Sequence, residues 1–204
     1  MSVSQGSLEG LWWAARGRVR ITLAYRIHIY CRQTAVAITP DQIMRALGQA
    51  DLMIEAEARG IADEEALVDA ALPYLRIENT GHLPFEEWRL HYGPPGERDI
   101  PIERVAGARE VRTRIDTMIY EHLDDGRVSE AHLILPRLYE TIEEVCITLG
   151  GAQTGDLGIV LAYEVARYIA GVTEGLISDD YKEWWRVDDG VFVEIARIVS
   201  AVAS

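Results

Sequence analysis

The sequence is poor in cysteine and in basic residues, and it lacks any long apolar run. Its 204 residues include two cysteines, too few for the disulfide framework that stabilises small secreted domains. No apolar stretch approaches the roughly 20 residues that a membrane-spanning helix needs. The N-terminus does not combine a basic segment with a long apolar stretch, so no secretory signal is visible. We therefore expect a soluble, cytoplasmic protein with no membrane partner.

The charge is strongly one-sided. Twenty basic residues stand against 33 acidic residues, which gives a formal net charge of −13. Nucleic acids are bound through basic side chains that release phosphate counterions, so the sequence predicts no nucleic-acid partner. A protein of this charge can instead attract a basic protein, although the charge also serves solubility.

The apolar content is that of a folded protein. Hydrophobic residues make up 49% of the chain, which excludes disorder as the dominant state. No proline-rich or serine-rich linker interrupts the chain. The sequence predicts a single domain over residues 1–204, and the alternative is two packed subdomains that divide near residues 125–135.

An alternating pattern predicts a long first strand over residues 19–31. Ile27, Ile29 and other apolar residues fall on one face. The opposite face carries polar residues and tyrosine, namely Arg26, His28 and Tyr30. One buried and one exposed face are typical of an antiparallel or mixed sheet.

The clearest helix signal follows this strand. Thr39 and Gln42 have the spacing of a capping box, and Pro40 suits the first helical position. Apolar residues then form one helical stripe over residues 43–58, and Gly60 can end the helix.

The remaining pattern alternates irregularly between helices and strands. It predicts helices at residues 63–72, 111–123, 157–171 and 192–199, the last capped by Asp188 or Asp189, and strands at residues 74–79, 85–92, 99–105, 144–149, 175–178 and 184–187. This order is not the strict alternation of a parallel α/β fold. It predicts an α+β fold with a mixed, mainly antiparallel sheet and amphipathic helices packed on one face. Residues 19–59 and 144–170 share a strand–loop–helix layout, as two similar halves would.

Motifs for catalysis, cofactors and metals are missing. The glycine-rich loop at residues 150–155 lacks the spacings of phosphate-binding and dinucleotide-binding loops, and Asp156 would repel a phosphate. His122 and His132 flank Asp124 and Asp125, but no histidine or cysteine has metal-ligand spacing. We therefore predict no catalytic residues, no cofactor and no metal site.

An acidic and aromatic segment near the C-terminus is the candidate binding surface. It contains Asp179, Asp180, Trp184 and Trp185, and tryptophan is enriched at protein interfaces. In the alternative reading one tryptophan packs inward and the other covers a sheet edge. The profile of residues 157–185 resembles that of immunity proteins of bacterial toxin systems, with a helix followed by Gly-hydrophobic-Ile-x-Asp and an aromatic residue.

Three hypotheses follow. The sequence favours a non-catalytic protein-binding module that recognises a basic partner through its acidic and aromatic surface, as an immunity-like protein would. The alternative is an enzyme whose site is assembled from dispersed residues, with Arg26, His28 and Tyr30 on the first strand near the glycine loop at residues 150–155. A homo-oligomer with a structural role is the third.

Overall fold

The protein is built around one eight-stranded antiparallel sheet. The structure, a computed structural model, describes residues 24–82, 86–123, 130–180 and 183–197. The strands are β1 Tyr25–Cys31, β2 Arg76–Asn79, β3 Glu87–His91, β4 Asp99–Val105, β5 Glu143–Leu149, β6 Leu176–Asp179, β7 Glu183–Asp188 and β8 Val191–Arg197. The helices are α1 Pro40–Gln49, α2 Leu52–Ala58, α3 Glu64–Ala71, α4 Ala108–Met118, α5 Ala131–Tyr139 and α6 Leu157–Thr173. The predicted α+β class is confirmed.

The first strand lies in the middle of the sheet. The strand order is β2-β3-β4-β5-β1-β6-β7-β8, and β1 pairs with β5 on one side and with β6 on the other. In this register His28 lies opposite Cys146 on β5 and opposite Ser178 on β6. Residues 19–23 of the predicted strand lie outside the described residues.

Helices cover both faces of the sheet, where the sequence pattern predicted one. Helices α1, α2, α3 and α6 pack with Ile27 and Ile29 in the larger core, on what we call the α6 face. Helices α4 and α5 pack with Tyr30 and Trp184 in a second core, on the α4 face. Successive residues of a strand point to opposite faces, and on the more polar side of β1 the residues His28 and Tyr30 are buried whereas Arg26 is exposed.

The predicted capping box is present, but the helix that it starts is shorter than predicted. The Thr39 hydroxyl accepts the Gln42 N–H, and the Gln42 side chain accepts the Thr39 N–H. Helix α1 ends at Gln49 because Asp51 caps a new helix by accepting the Ile54 N–H. The apolar stripe over residues 43–58 therefore spans two helices.

The predicted C-terminal helix is wrong. Residues 191–197 form strand β8, which pairs with β7. Asp189 and Gly190, which lie between these strands, both have positive φ, as a two-residue hairpin turn requires. The apolar residues 192, 195 and 196 fit helical spacing, but the hairpin pairing decides the structure, and it is not visible in that spacing.

None of the helices in the described part of the chain is both long enough and apolar enough to cross a membrane. Strands from both sides of residues 125–135 belong to the same sheet. The single domain stays a prediction, and residues 125–129 of the proposed boundary lie outside the described residues.

Candidate functional site

A polar cavity of about 720 Å³ opens between α4 and the α4 face of the sheet. Its floor consists of side chains from β1 and β5, and its walls come from α4, the π-helical turn Ile119–Leu123 that follows α4, and β4. We call it the His28 cavity, and its lining residues are Arg26, His28, Tyr30, Pro101, Glu103, Thr113, Arg114, Thr117, Met118, Glu121, His122, Glu144, Cys146 and Thr148. The alternation that predicted β1 thus directs three residues of one strand into a single cavity.

A hydrogen-bonded histidine and carboxylate lie at the floor of this cavity. The His28 Nδ1 and Glu144 Oε1 atoms are 2.8 Å apart. His28 is 5% exposed and Glu144 is 3% exposed, so water is largely excluded from the pair. When the carboxylate is ionised, Nδ1 carries the proton and the basic lone pair of the ring resides on Nε2.

The second carboxylate oxygen of Glu144 faces Arg114. The Oε2 atom accepts no hydrogen bond from any described residue, and the Arg114 guanidinium lies 3.5 Å from it. Arg114 also donates a hydrogen bond to Glu110, at 3.1 Å. Burial lowers the pKa of Arg114, but the two carboxylates outweigh burial and raise it. A permanent positive charge therefore stands beside the buried histidine–carboxylate pair.

Cys146 shares the floor but is protonated at neutral pH. Burial raises the pKa of its thiol to about 11, and the thiolate is the nucleophilic form of cysteine. Cys31 lies in the core of the α6 face, so His28 and Cys31 are on opposite faces of β1, as an odd separation along a strand requires. Both cysteines are free and buried, Cys31 in the larger core and Cys146 at the floor of the cavity.

The glycine loop does not join this site. None of the described residues that line the His28 cavity comes from residues 150–155. Residues 153–155 form a short 3-10 turn that leads into α6 on the other face. Asp156 accepts the Gly158 N–H at 2.7 Å, so a carboxylate already occupies the helix N-terminus. The two parts of the predicted dispersed site are therefore not brought together.

The predicted acidic and aromatic surface is largely buried. Trp184 is fully buried on the α4 face, where its ring stacks on Tyr30 with the centroids 5.9 Å apart. Trp185 is half-buried on the α6 face. Asp180 is half-buried and accepts the Arg26 N–H. The two tryptophans thus follow the alternative reading more closely than that of a binding rim, and the binding role of the four residues stays a prediction.

Asp179 is the centre of a buried hydrogen-bond cluster. Its carboxylate accepts the hydroxyl groups of Tyr25, at 2.5 Å, and of Tyr163, at 3.2 Å, and it also accepts the Glu183 N–H. The Arg59 guanidinium lies 3.8 Å from the centroid of the Tyr163 ring. Burial raises the pKa of Asp179, although the hydrogen bonds it accepts lower it. No local sequence signal indicated this cluster, because its members are up to 154 residues apart.

Replacing Asp179 with asparagine is expected to change the pH dependence of stability. Because its pKa is raised, the folded protein holds the Asp179 proton more tightly than the unfolded chain does. This group therefore lowers the free energy of unfolding as pH rises from about 4, the ordinary aspartate value, to the raised pKa. Urea unfolding at successive pH values should show that the free energy of unfolding of Asp179→Asn increases relative to that of the wild type as pH rises across that window. A difference in the free energy of unfolding that is constant with pH would contradict this prediction. Asp69→Asn, at an exposed position of α3, controls for the loss of a carboxylate.

The two histidines considered for a metal are not gathered into a ligand set. His122 lines the cavity, whereas the His132 side chain is 73% exposed. Within the described ranges no three histidine, cysteine, aspartate or glutamate side chains are placed to hold an ion. Asp124 and Asp125 lie outside the described residues.

Comparison with known proteins identified no relative of this chain. No protein-family model, no curated protein and no solved structure matches the chain. The geometry of the His28 cavity and the distribution of surface charge are therefore the observations that bear on function.

Proposed function

We propose that the protein binds a small polar molecule in the His28 cavity and that His28 exchanges a proton with it. The observation that carries this proposal is the buried 2.8 Å hydrogen bond between His28 and Glu144 at the cavity floor. A large concave site with convergent polar groups is the usual location of ligand binding and catalysis. This is the enzyme alternative of the sequence analysis, without the glycine loop.

Each polar group has a distinct part in such a site. Glu144 fixes the orientation of the His28 ring and stabilises the imidazolium that forms when Nε2 takes a proton. The Glu144 Oε2 atom can accept a hydrogen bond from a hydroxyl or amino group of the ligand. Arg114 supplies a positive charge for a neighbouring anionic group. The ligand class that fits is therefore a small molecule with a hydrogen-bond donor next to an acidic group, such as a hydroxy acid or an amino acid.

A ligand-observed NMR screen tests the proposal. The probes are hydroxy acids and amino acids of low molecular mass, with simple alcohols for comparison. We expect binding to the wild type that is lost in His28→Gln and kept in His132→Gln, because His132 is exposed. If His28→Gln fails to fold, Thr117→Phe is the second variant, since Thr117 is an exposed residue of the cavity wall. Equal binding to all variants, or no binding by any probe, would remove the proposal.

Recognition of a basic protein in the cytoplasm is the second candidate function. It is supported by the net charge of −13 and by an exposed acidic segment on α2 and α3. That segment, residues 51–72, contains the acidic residues Asp51, Glu55, Glu57, Asp63, Glu64, Glu65 and Asp69, and its one basic residue is Arg59. Such a field speeds the encounter with a positively charged partner and weakens with salt.

A series of salt concentrations distinguishes specific recognition of a basic protein from non-specific binding. Native pull-down with the full chain should recover a stoichiometric basic protein at low salt and lose it at high salt. Light scattering of the chain alone tests the homo-oligomer, and a mass near 22.8 kDa would reject it. Recovery of no basic protein at any salt concentration would eliminate the second candidate.

A further inference from the structure

An apolar groove runs between α1, α2 and α3 on the outside of the helical layer. Its volume is about 360 Å³. The floor includes buried Leu47 and Val68, and the two sides carry Met53 and Leu72. Met53 is 45% exposed and Leu72 is 54% exposed, so two large apolar side chains flank an apolar floor that solvent can reach.

One acidic residue, Asp51, lines this groove, and three further carboxylates lie on α2 and α3 at helical spacing from its apolar sides. Glu57 follows Met53 by four residues along α2, and both are exposed. Glu65 and Asp69 precede Leu72 by seven and three residues, and both are exposed on α3. Each apolar side of the groove therefore continues into carboxylates on the same helical stripe.

From this arrangement we infer that the groove binds an amphipathic helical segment of a basic partner protein. The inference rests on the second candidate function and assigns it a site. Helix-in-groove recognition uses apolar anchors from one helix face, and Met53 and Leu72 provide the contacts for them. Lysine or arginine beside those anchors would meet Glu57, Glu65 and Asp69, so the charges are complementary. An acidic segment would be repelled by the same carboxylates.

Fluorescence anisotropy with designed peptides tests the inference on the full chain. The probe is a labelled synthetic peptide with leucine and lysine at helical spacing. One matched peptide carries glutamate in place of lysine, and another carries serine in place of leucine. We expect the first peptide alone to bind, and its affinity to fall as salt is raised from about 50 to about 300 mM.

Variants locate the binding on the protein. The groove variant is Met53→Ser/Leu72→Ser and the rim variant is Glu65→Lys/Asp69→Lys, with Val191→Ser and Glu174→Lys as exposed controls elsewhere. We expect both test variants to bind about tenfold more weakly or worse, which corresponds to about 1.4 kcal/mol, and the controls to be unchanged. All substituted residues are exposed, so the fold should persist.

Three outcomes would overturn the site. Equal affinity in all variants would leave basic recognition intact but place it elsewhere on the protein. Equal binding of the serine peptide would indicate charge attraction without the groove. A dimer of the wild type that Leu72→Ser dissociates would make a second copy of the chain the occupant of the groove.

Discussion

Trp184→Ala is expected to lower the free energy of unfolding by about 3–5 kcal/mol, the cost of removing a large buried aromatic side chain. Trp184 is 0% exposed and packs with Tyr30, Leu176 and the helices of the α4 face. Its indole N–H has no hydrogen-bond partner among the described residues. Trp184→Phe should therefore cost much less, because it loses volume but no hydrogen bond.

Urea unfolding followed by far-UV circular dichroism measures this difference without relying on tryptophan emission. Val191→Ala is the control, since Val191 is 63% exposed on the adjacent strand, and it should change stability by no more than about 0.5 kcal/mol. A loss of less than about 1 kcal/mol in Trp184→Ala would contradict a core role, and it would favour the recognition surface that the sequence predicted.

Glu143→Ala is expected to cost about 3–5 kcal/mol, the loss typical of breaking a buried ion pair by removing one partner. The Glu143 carboxylate accepts hydrogen bonds from Arg104 at 3.0 Å, Thr34 at 2.8 Å and the Ala35 N–H at 2.8 Å. The side chains of Glu143 and Arg104 are only 9% and 10% exposed, respectively. Truncation removes one buried charge from its pair and takes the acceptor from two further donors.

The matched control is Glu140→Ala. Glu140 forms an ion pair with Arg32 at 2.8 Å, but its side chain is 56% exposed, so the expected cost is about 0–1 kcal/mol. Thermal and urea unfolding of both variants should separate them clearly. If the two losses are equal, the buried carboxylate contributes no more than a surface ion pair does, and the prediction is wrong.

Local signals were sufficient where structure is set by neighbouring residues. The alternation over β1 and the capping box at Thr39 and Gln42 predicted both elements, because side-chain periodicity and capping depend on residues close in sequence. Strands β3 and β4 were predicted for the same reason, over residues 85–92 and 99–105. Strand β8 was missed because its apolar spacing fits a helix, and only pairing with β7 decides between the two.

The sequence predicted the part of the candidate site that lies on β1, but not the part that lies on β5. The polar face of β1 was visible in the sequence, so Arg26, His28 and Tyr30 were identified as a group. The partner of His28, Glu144, is 116 residues away and carries no motif. Only the register of β1 against β5 places these two residues together, and register over such a separation has no local sequence signal.

The central position of β1 has a consequence for how the chain folds. Tyr25 pairs with Leu149, and Ile27 pairs with Asp179, so the middle of the sheet cannot close until most of the polypeptide has been synthesised. Contacts between such distant residues carry a large loop-closure entropy, which slows folding of topologies dominated by them. During translation the backbone edges of β1 therefore stay unpaired and its apolar side chains stay exposed until β5 and β6 have been made. We expect chaperones to protect this strand before other segments of the chain.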